Sequence, residues 1–118
     1  MKTSLSFAAA LLLLPIVPSH AQTTPPVFAP CAACHSIAPG KTSFCPNLDG
    51  VAHRKAASLS GYIYSPALKA AGLTWDAPTL DRWLTSPQKL VLGTKMPFAG
   101  IADPVRRKQV VDYLLTLR

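Results

Sequence analysis

Two cysteines three residues apart, Cys31 and Cys34, are followed directly by His35. In one helical turn the thiols at positions i and i+3 lie on the same side, where each can add to one vinyl group of a haem. The imidazole that follows can then reach the iron from the same face of the ring. The pentapeptide therefore predicts a covalent haem attachment site, although a CxxC pair also occurs in redox dithiols and zinc sites.

A haem iron held by one histidine has a sixth coordination position, and its occupant decides between electron transfer and catalysis or gas binding. Candidate ligands in the mature chain are Met96 and His53. Met96 lies in a loop bracketed by Gly93 and Gly100, where a thioether can turn inward without the constraints of a helix. His53 stands beside two basic residues and is expected to be an ordinary loop histidine. We therefore predict that His35 and Met96 are the axial ligands of the iron.

The first residues carry the pattern of a secretory signal peptide. Lys2 precedes an apolar run over residues 5–17, and Ser19-His20-Ala21 matches a small-x-small cleavage site. The run is too short for a membrane span, and an uncleaved N-terminal anchor is the alternative. Cleavage after Ala21 leaves 97 residues in the periplasm. A domain of that size has a marginal core, so we expect the haem-free chain to be poorly folded.

The mature chain is basic. Without Lys2 it has eleven Lys and Arg against five Asp and no Glu, a net charge of +6 with histidines neutral. Such a surface attracts acidic partners. The basic residues are scattered, and the one short run, at residues 106–108, is expected to be a solvated helix face. Because the chain is also exported, we exclude nucleic acid as a partner.

The positions of prolines, glycines and helix-capping residues predict short helices, and no strand pattern is seen in the sequence. Prolines exclude a long helix before the attachment site, so a short helix is expected from Pro30, followed by a long loop over residues 37–60. Further helices are predicted at 65–72, 76–85 and 86–92, and a last one from Asp103. The last carries an apolar stripe formed by Val110, Tyr113, Leu114 and Leu117. The fold class is therefore all-α, with four or five short helices and loops around one haem.

Taken together, the motifs of residues 28–118 resemble the class I c-type cytochromes, the soluble electron carriers of mitochondria and bacteria. They occur in the family's order and nearly with its spacing. The matching stretches are Cys31 to His35, Pro46-Asn47-Leu48-Asp49-Gly50, Arg54-Lys55, Tyr62-Ile63-Tyr64-Ser65, Leu73-Thr74-Trp75, Leu80-Asp81-Arg82-Trp83-Leu84, Gly93-Thr94-Lys95-Met96, Phe98-Ala99-Gly100 and Tyr113-Leu114.

The resemblance implies roles for residues around the haem. Pro46 would accept a hydrogen bond from the second nitrogen of His35, which fixes the tautomer of the ligand. Trp83 would pack beside the sulfur of Met96. The positions that match donors to the haem propionates are Arg54, Tyr64, Ser65 and Trp75. For each of these residues a role in the core or in a loop is the alternative.

Two departures from the family stand out. The family has a helix before its attachment site that crosses the last helix, whereas residues 24–30 are too short and too rich in proline for one. Val27 and Phe28 are expected to pack on Tyr113 instead. Cys45 replaces the glycine that usually precedes Pro46, and it is expected to be a small buried residue or an exposed thiol that links two chains.

The resulting function is that of a one-electron carrier and not of an enzyme. We expect residues 1–21 to be the signal peptide, 22–27 a flexible tail, and 28–118 a monomeric mono-haem domain that docks on acidic redox proteins, such as an oxidase, reductase or dehydrogenase. Lys41, Lys89 and Lys95 would guide those partners.

The same residues are compatible with other functions. A five-coordinate haem would make the protein a peroxidase or a gas sensor. The cysteines could instead form a dithiol site or, with His53, a Cys₃His zinc site.

Overall fold

The computed structural model of the protein describes Pro15 and residues 23–118. Five α-helices form in this part of the chain, and they lie where the capping residues, prolines and glycines of the sequence predict them. They are α1 (Ala29–Ala32), α2 (Pro66–Ala70), α3 (Ala77–Thr85), α4 (Pro87–Leu90) and α5 (Pro104–Leu114). The described residues form no strand, only one isolated bridge between Lys55 and Thr74. The predicted all-α class is confirmed.

The predicted leader and its cleavage site after Ala21 lie outside the described residues, apart from Pro15. Within the described part, none of the helices is long and apolar enough to cross a bilayer.

Three helices begin at a side chain that caps them. Ser65 Oγ accepts a hydrogen bond from the backbone at the start of α2, and Asp76 and Asp103 do the same for α3 and α5. A proline stands in the first turn of each, where its missing N–H is not needed. The Thr79 N–H and hydroxyl that bond to Asp76 hold the pKa of that carboxyl below its usual value. The chain therefore fixes each helix start locally.

The core forms where α3 packs on α5. Val110 of α5 is fully buried, and Phe28 meets the ring of Tyr113 edge-on at a centroid distance of 4.9 Å. The packing of Phe28 on Tyr113 confirms the expectation for Phe28, and Thr24 Oγ1 lies 3.0 Å from the Tyr113 hydroxyl. A short 3₁₀ turn at Pro26–Phe28 leads from there directly into α1.

An ion pair joins the same two helices at their edge. Arg107 Nε of α5 donates to Asp81 Oδ1 of α3 at 2.6 Å, and Arg107 Nη1 donates to the carbonyl of Ile101. Because Arg107 is largely buried, this pair fixes the angle between the helices more firmly than a solvated pair would.

The long loop between α1 and α2 is held against the rest of the molecule by backbone hydrogen bonds. The His53 amide donates to the Trp75 carbonyl, the Trp75 amide donates to the Arg54 carbonyl, and the Ala52 amide donates to the Leu117 carbonyl. Val51 is buried at the centre of this loop. The segment is therefore a fixed wall of the interior.

Gly100 allows the loop after α4 to close against α3. Its φ is +117°, and a Cβ atom built there would lie 2.1 Å from the carbonyl oxygen of Thr85. The next amide, of Ile101, donates to the Leu84 carbonyl at 2.7 Å. A side chain at position 100 would push this loop away from the end of α3.

We therefore expect Gly100→Ala to destabilise the protein by at least about 2 kcal/mol in denaturant unfolding, because backbone strain and a backbone clash combine. The matched control is Gly72→Ala, which also has a left-handed φ, +64°, but faces open space. It should cost only about 1 kcal/mol. Equal losses for the two variants would contradict the close crossing.

Candidate functional site

A mostly apolar cleft opens between α1, the long loop, α2, α3 and the loop after α4. Of the ten residues that the sequence predicts at the site, nine line this cleft. They are Cys31, His35, Pro46, Arg54, Tyr64, Ser65, Trp75, Trp83 and Met96. Cys34 is the exception. The topology thus brings together residues up to 65 positions apart in sequence.

His35 is held in one tautomer. Its Nδ1 lies 2.6 Å from the carbonyl oxygen of Pro46, and because a carbonyl can only accept, the ring proton is on Nδ1. The lone pair of Nε2 is then free to bind a metal. Burial lowers the pKa of His35, an effect that the Pro46 carbonyl partly opposes. The imidazole is therefore presented in its neutral form, the one that binds iron.

Side chains that bond to backbone carbonyls fix the loop that carries Pro46. Asn47 Nδ2 donates to the carbonyls of Ala38 and Lys41, both at 2.7 Å. Arg54 donates to the carbonyls of Asp49 and Asn47 at 3.0 and 3.1 Å. Arg54 thus uses two of its five N–H donors to hold the loop that orients His35.

Ser65 and Tyr64 are polar residues that also line the cleft. Ser65 Oγ accepts from the Leu68 amide, which leaves its own O–H as a donor. Burial raises the pKa of Tyr64, so its hydroxyl stays protonated; a backbone hydrogen bond at Leu59 and the Arg54 guanidinium oppose this shift.

The two tryptophans of the cleft pack on each other. The rings of Trp75 and Trp83 meet edge-to-face at 5.2 Å. Trp83 is buried, whereas Trp75 is only half-buried. This aromatic pair forms a rigid apolar side of the cleft.

Gln88 holds the loop that carries Met96. Its Nε2 donates to the carbonyls of Thr94 and Met96, at 2.8 and 3.2 Å, from the short helix α4. Lys95 Nζ adds a bond to the Ile63 carbonyl at 2.8 Å. Sequence reasoning missed Gln88, because nothing in its spacing distinguishes it from a solvated helix residue. The loop is therefore positioned by polar bonds as well as by its glycines.

His53, the other candidate for the sixth ligand, is exposed and is not among the residues that line the cleft. Its backbone has a positive φ of 60°, a conformation typical of a loop.

A disulfide joins Cys34 to Cys45, with the two Cα atoms 5.4 Å apart, and Cys31 is left as the free cysteine. Neither expectation for Cys45 is met, since it is neither a simple small residue nor an exposed thiol between chains. The reason is local, because the contact between His35 and Pro46 makes their neighbours Cys34 and Cys45 neighbours as well. Cys34 in this state turns its sulfur towards Cys45 and not into the cleft.

The residues of the cleft fit a haem. The cleft is lined mainly by apolar and aromatic side chains with a few polar groups, as cofactor sites usually are. An imidazole and a thioether are a donor set that haem iron takes in electron carriers. Arg54 and Lys95 supply positive charge for anionic substituents.

A zinc site does not fit the same residues. Over the described part of the chain no three His, Cys, Asp or Glu side chains come together as a metal site. Cys34 and Cys45 are bonded to each other, and His53 lies outside the cleft. The Cys₃His alternative is therefore not favoured.

The chain is similar in sequence to curated proteins of one kind. No protein-family model matches the chain. The chain is 49% identical over 89 residues to cytochrome c2 of Rhodoblastus acidophilus, covering 75% of this chain and 83% of that protein. It is 45% identical over 94 residues to cytochrome c2 iso-2 of Magnetospirillum molischianum, covering 80% and 97%.

Among solved structures, the fold is similar to cytochrome cH from Methylobacterium extorquens, with a TM-score of 0.71 and 47% identity. The match covers 76% of this chain and 91% of that one.

We expect Gln88→Ala to loosen the loop over residues 93–99, because the loss of two hydrogen bonds of about 1 kcal/mol each favours local opening. Amide hydrogen exchange of that segment should accelerate by about thirtyfold, since the two bonds together contribute about 2 kcal/mol and 1.4 kcal/mol corresponds to a factor of ten. Gln109→Ala, on the exposed side of α5, is the control and should leave exchange of the segment unchanged. An unchanged rate in Gln88→Ala would show that Gln88 does not hold the loop.

Proposed function

Because the chain belongs to the class I c-type cytochromes, we propose that it is an exported mono-haem electron carrier whose haem iron is ligated by His35 and Met96. Proteins of this family carry one covalently bound haem c and transfer electrons, and they are not enzymes. The observation that carries the ligand assignment is the Nδ1–Pro46 bond, which leaves Nε2 of His35 free beside a cleft that Met96 also lines.

Each residue of the cleft then has a defined task. Cys31 and, once its thiol is free, Cys34 would hold the haem covalently, and His35 and Met96 would both bind its iron, which would leave no position for a substrate. The haem supplies a one-electron change between ferric and ferrous iron. The apolar lining would exclude water and, together with the thioether of Met96, would favour the ferrous form and raise the reduction potential.

The polar residues of the cleft are assigned to the haem periphery. Arg54, Tyr64, Ser65 and Trp75 would donate hydrogen bonds to the propionates. Their support is that each lines the cleft, and that Ser65 retains a free O–H donor. Trp83 would pack beside the sulfur of Met96, on the rigid side formed with Trp75.

The place of action proposed here is the periplasm. The leader would be cleaved after Ala21, and the mature chain would act as a monomer between redox proteins. Relatives named cytochrome c2 from bacteria support an exported carrier.

Exposed positive charge supports docking on acidic partners. Lys41, Lys89 and Lys95 are exposed, and Lys95 also lines the cleft. Net positive charge near the point of electron transfer raises the rate of encounter with anionic partners, an effect that salt screens.

Substitution of Met96 tests the ligand assignment. We expect the oxidised wild type to show the sulfur-to-iron absorption band and the reduced wild type not to bind carbon monoxide. Met96→Ala should lose the band, bind carbon monoxide and have a lower reduction potential, because the thioether stabilises ferrous iron. His53→Ala is the matched control and should behave as the wild type. Carbon monoxide binding by the wild type would instead favour the five-coordinate peroxidase or sensor.

Charge reversal tests the docking surface. With hexacyanoferrate(III) as an anionic oxidant, Lys95→Glu should slow oxidation several-fold at low ionic strength and much less at 0.15 M salt, where the Debye length is about 8 Å. Arg106→Glu makes the same change in net charge on α5, away from the cleft, and should have a smaller effect. Equal effects of the two variants would count against a local role for Lys95.

A further inference from the structure

The disulfide between Cys34 and Cys45 uses a sulfur that haem attachment also requires. A sulfur bonded to its own carbon and to a second sulfur has no S–H to add to a vinyl group. The disulfide and the second thioether are therefore mutually exclusive states of Cys34. We propose that Cys34 and Cys45 form an intrachain disulfide before haem attachment, and that this bond must be reduced before Cys34 can join the haem. The inference rests on the proposed function, which places both Cys31 and Cys34 on the haem.

Several local contacts place the two cysteines side by side. The Cys45 amide donates to the Cys34 carbonyl at 3.3 Å. Ser43 Oγ lies 2.8 Å from the Cys34 carbonyl and 2.9 Å from the Cys45 carbonyl, and the bond between His35 and Pro46 adjoins the pair on its other side. All of these contacts lie within residues 34–46, so a short segment of the chain is enough to bring the two cysteines together.

The same contact explains why position 45 matters in this chain. Orientation of His35 requires Pro46 next to it, and Pro46 necessarily brings residue 45 alongside residue 34. A cysteine at position 45 is therefore held within reach of Cys34 wherever His35 is correctly oriented. The Cα separation of 5.4 Å is within the range usual for disulfides.

The bond is accessible to a reductant. The adjoining residues 41–44 are exposed, with Phe44 95% exposed, and Cys34 and Cys45 are only half-buried. A dithiol can therefore reach a sulfur of the pair from solvent.

The chemistry is thiol–disulfide exchange. A thiolate of the dithiol attacks one sulfur, the S–S bond breaks, and the second thiol of the reductant resolves the mixed disulfide. Two electrons and two protons pass to Cys34 and Cys45, which become thiols, while the dithiol becomes a disulfide. Cys34 then has the S–H that its thioether bond needs, and Cys45 remains a free thiol.

Peptide mapping of the full-length exported chain, produced without haem, tests the pairing directly. After acid quenching and alkylation of free thiols, trypsin separates Cys45, in residues 42–54, from Cys31 and Cys34, in residues 22–41, because it cleaves after Lys41. We expect mass spectrometry without reductant to find these two peptides linked, with Cys31 alkylated. Cys31→Ala should keep the link, and Cys45→Ala should lose it.

Three results would overturn the inference: a disulfide between Cys31 and Cys34 within one peptide, full alkylation of all three cysteines, or a link between two chains. Each is read from the haem-free chain and is independent of electron transfer.

Haem loading gives the second readout. In a host that attaches haem to exported chains, withholding the dithiol reductant should lower the yield of doubly attached protein several-fold for the wild type relative to Cys45→Ala. The loaded wild type should have two thioethers and one alkylatable thiol, at Cys45. Equal yields would contradict a gating role. Absence of covalent haem from both variants would instead defeat the proposed function, and the peptide map would be unaffected by that failure.

Discussion

The hydrogen bond from His35 Nδ1 to the Pro46 carbonyl is the contact on which the site depends. It selects the ring tautomer, and it ties the long loop to the helical turn that holds the cysteines. Asn47 and Arg54 then hold the same loop by bonds to its carbonyls. A single polar contact, supported by a few side-chain bonds, thus sets both the orientation of His35 and the position of the loop that lines the cleft.

The hydrogen bond between His35 and Pro46 also determines which residues lie beside them. The orientation of His35 brings residue 45 next to residue 34, and two cysteines at these positions can form a disulfide under oxidising conditions. The disulfide between Cys34 and Cys45 therefore forms because each cysteine directly precedes one partner of the hydrogen bond between His35 and Pro46.

The helices could be predicted from the sequence because residues at their own ends mark where they begin. Ser65, Asp76 and Asp103 each cap a helix with a proline in its first turn, and the structure places these helices accordingly. Contacts between distant segments could not be predicted in this way. The bonds from Gln88 to the Met96 loop and the pairing of Cys45 with Cys34 depend on how loops fold over, and no periodicity in the chain encodes that.

The contact between Phe28 and Tyr113 joins segments some 85 residues apart. During synthesis Phe28 leaves the ribosome early and α5 leaves it last. The interior cannot close until the final helix has been made, because α5 supplies Val110 and Tyr113 to the core. The contact that closes the core is therefore one of large sequence separation, and such contacts form late in folding.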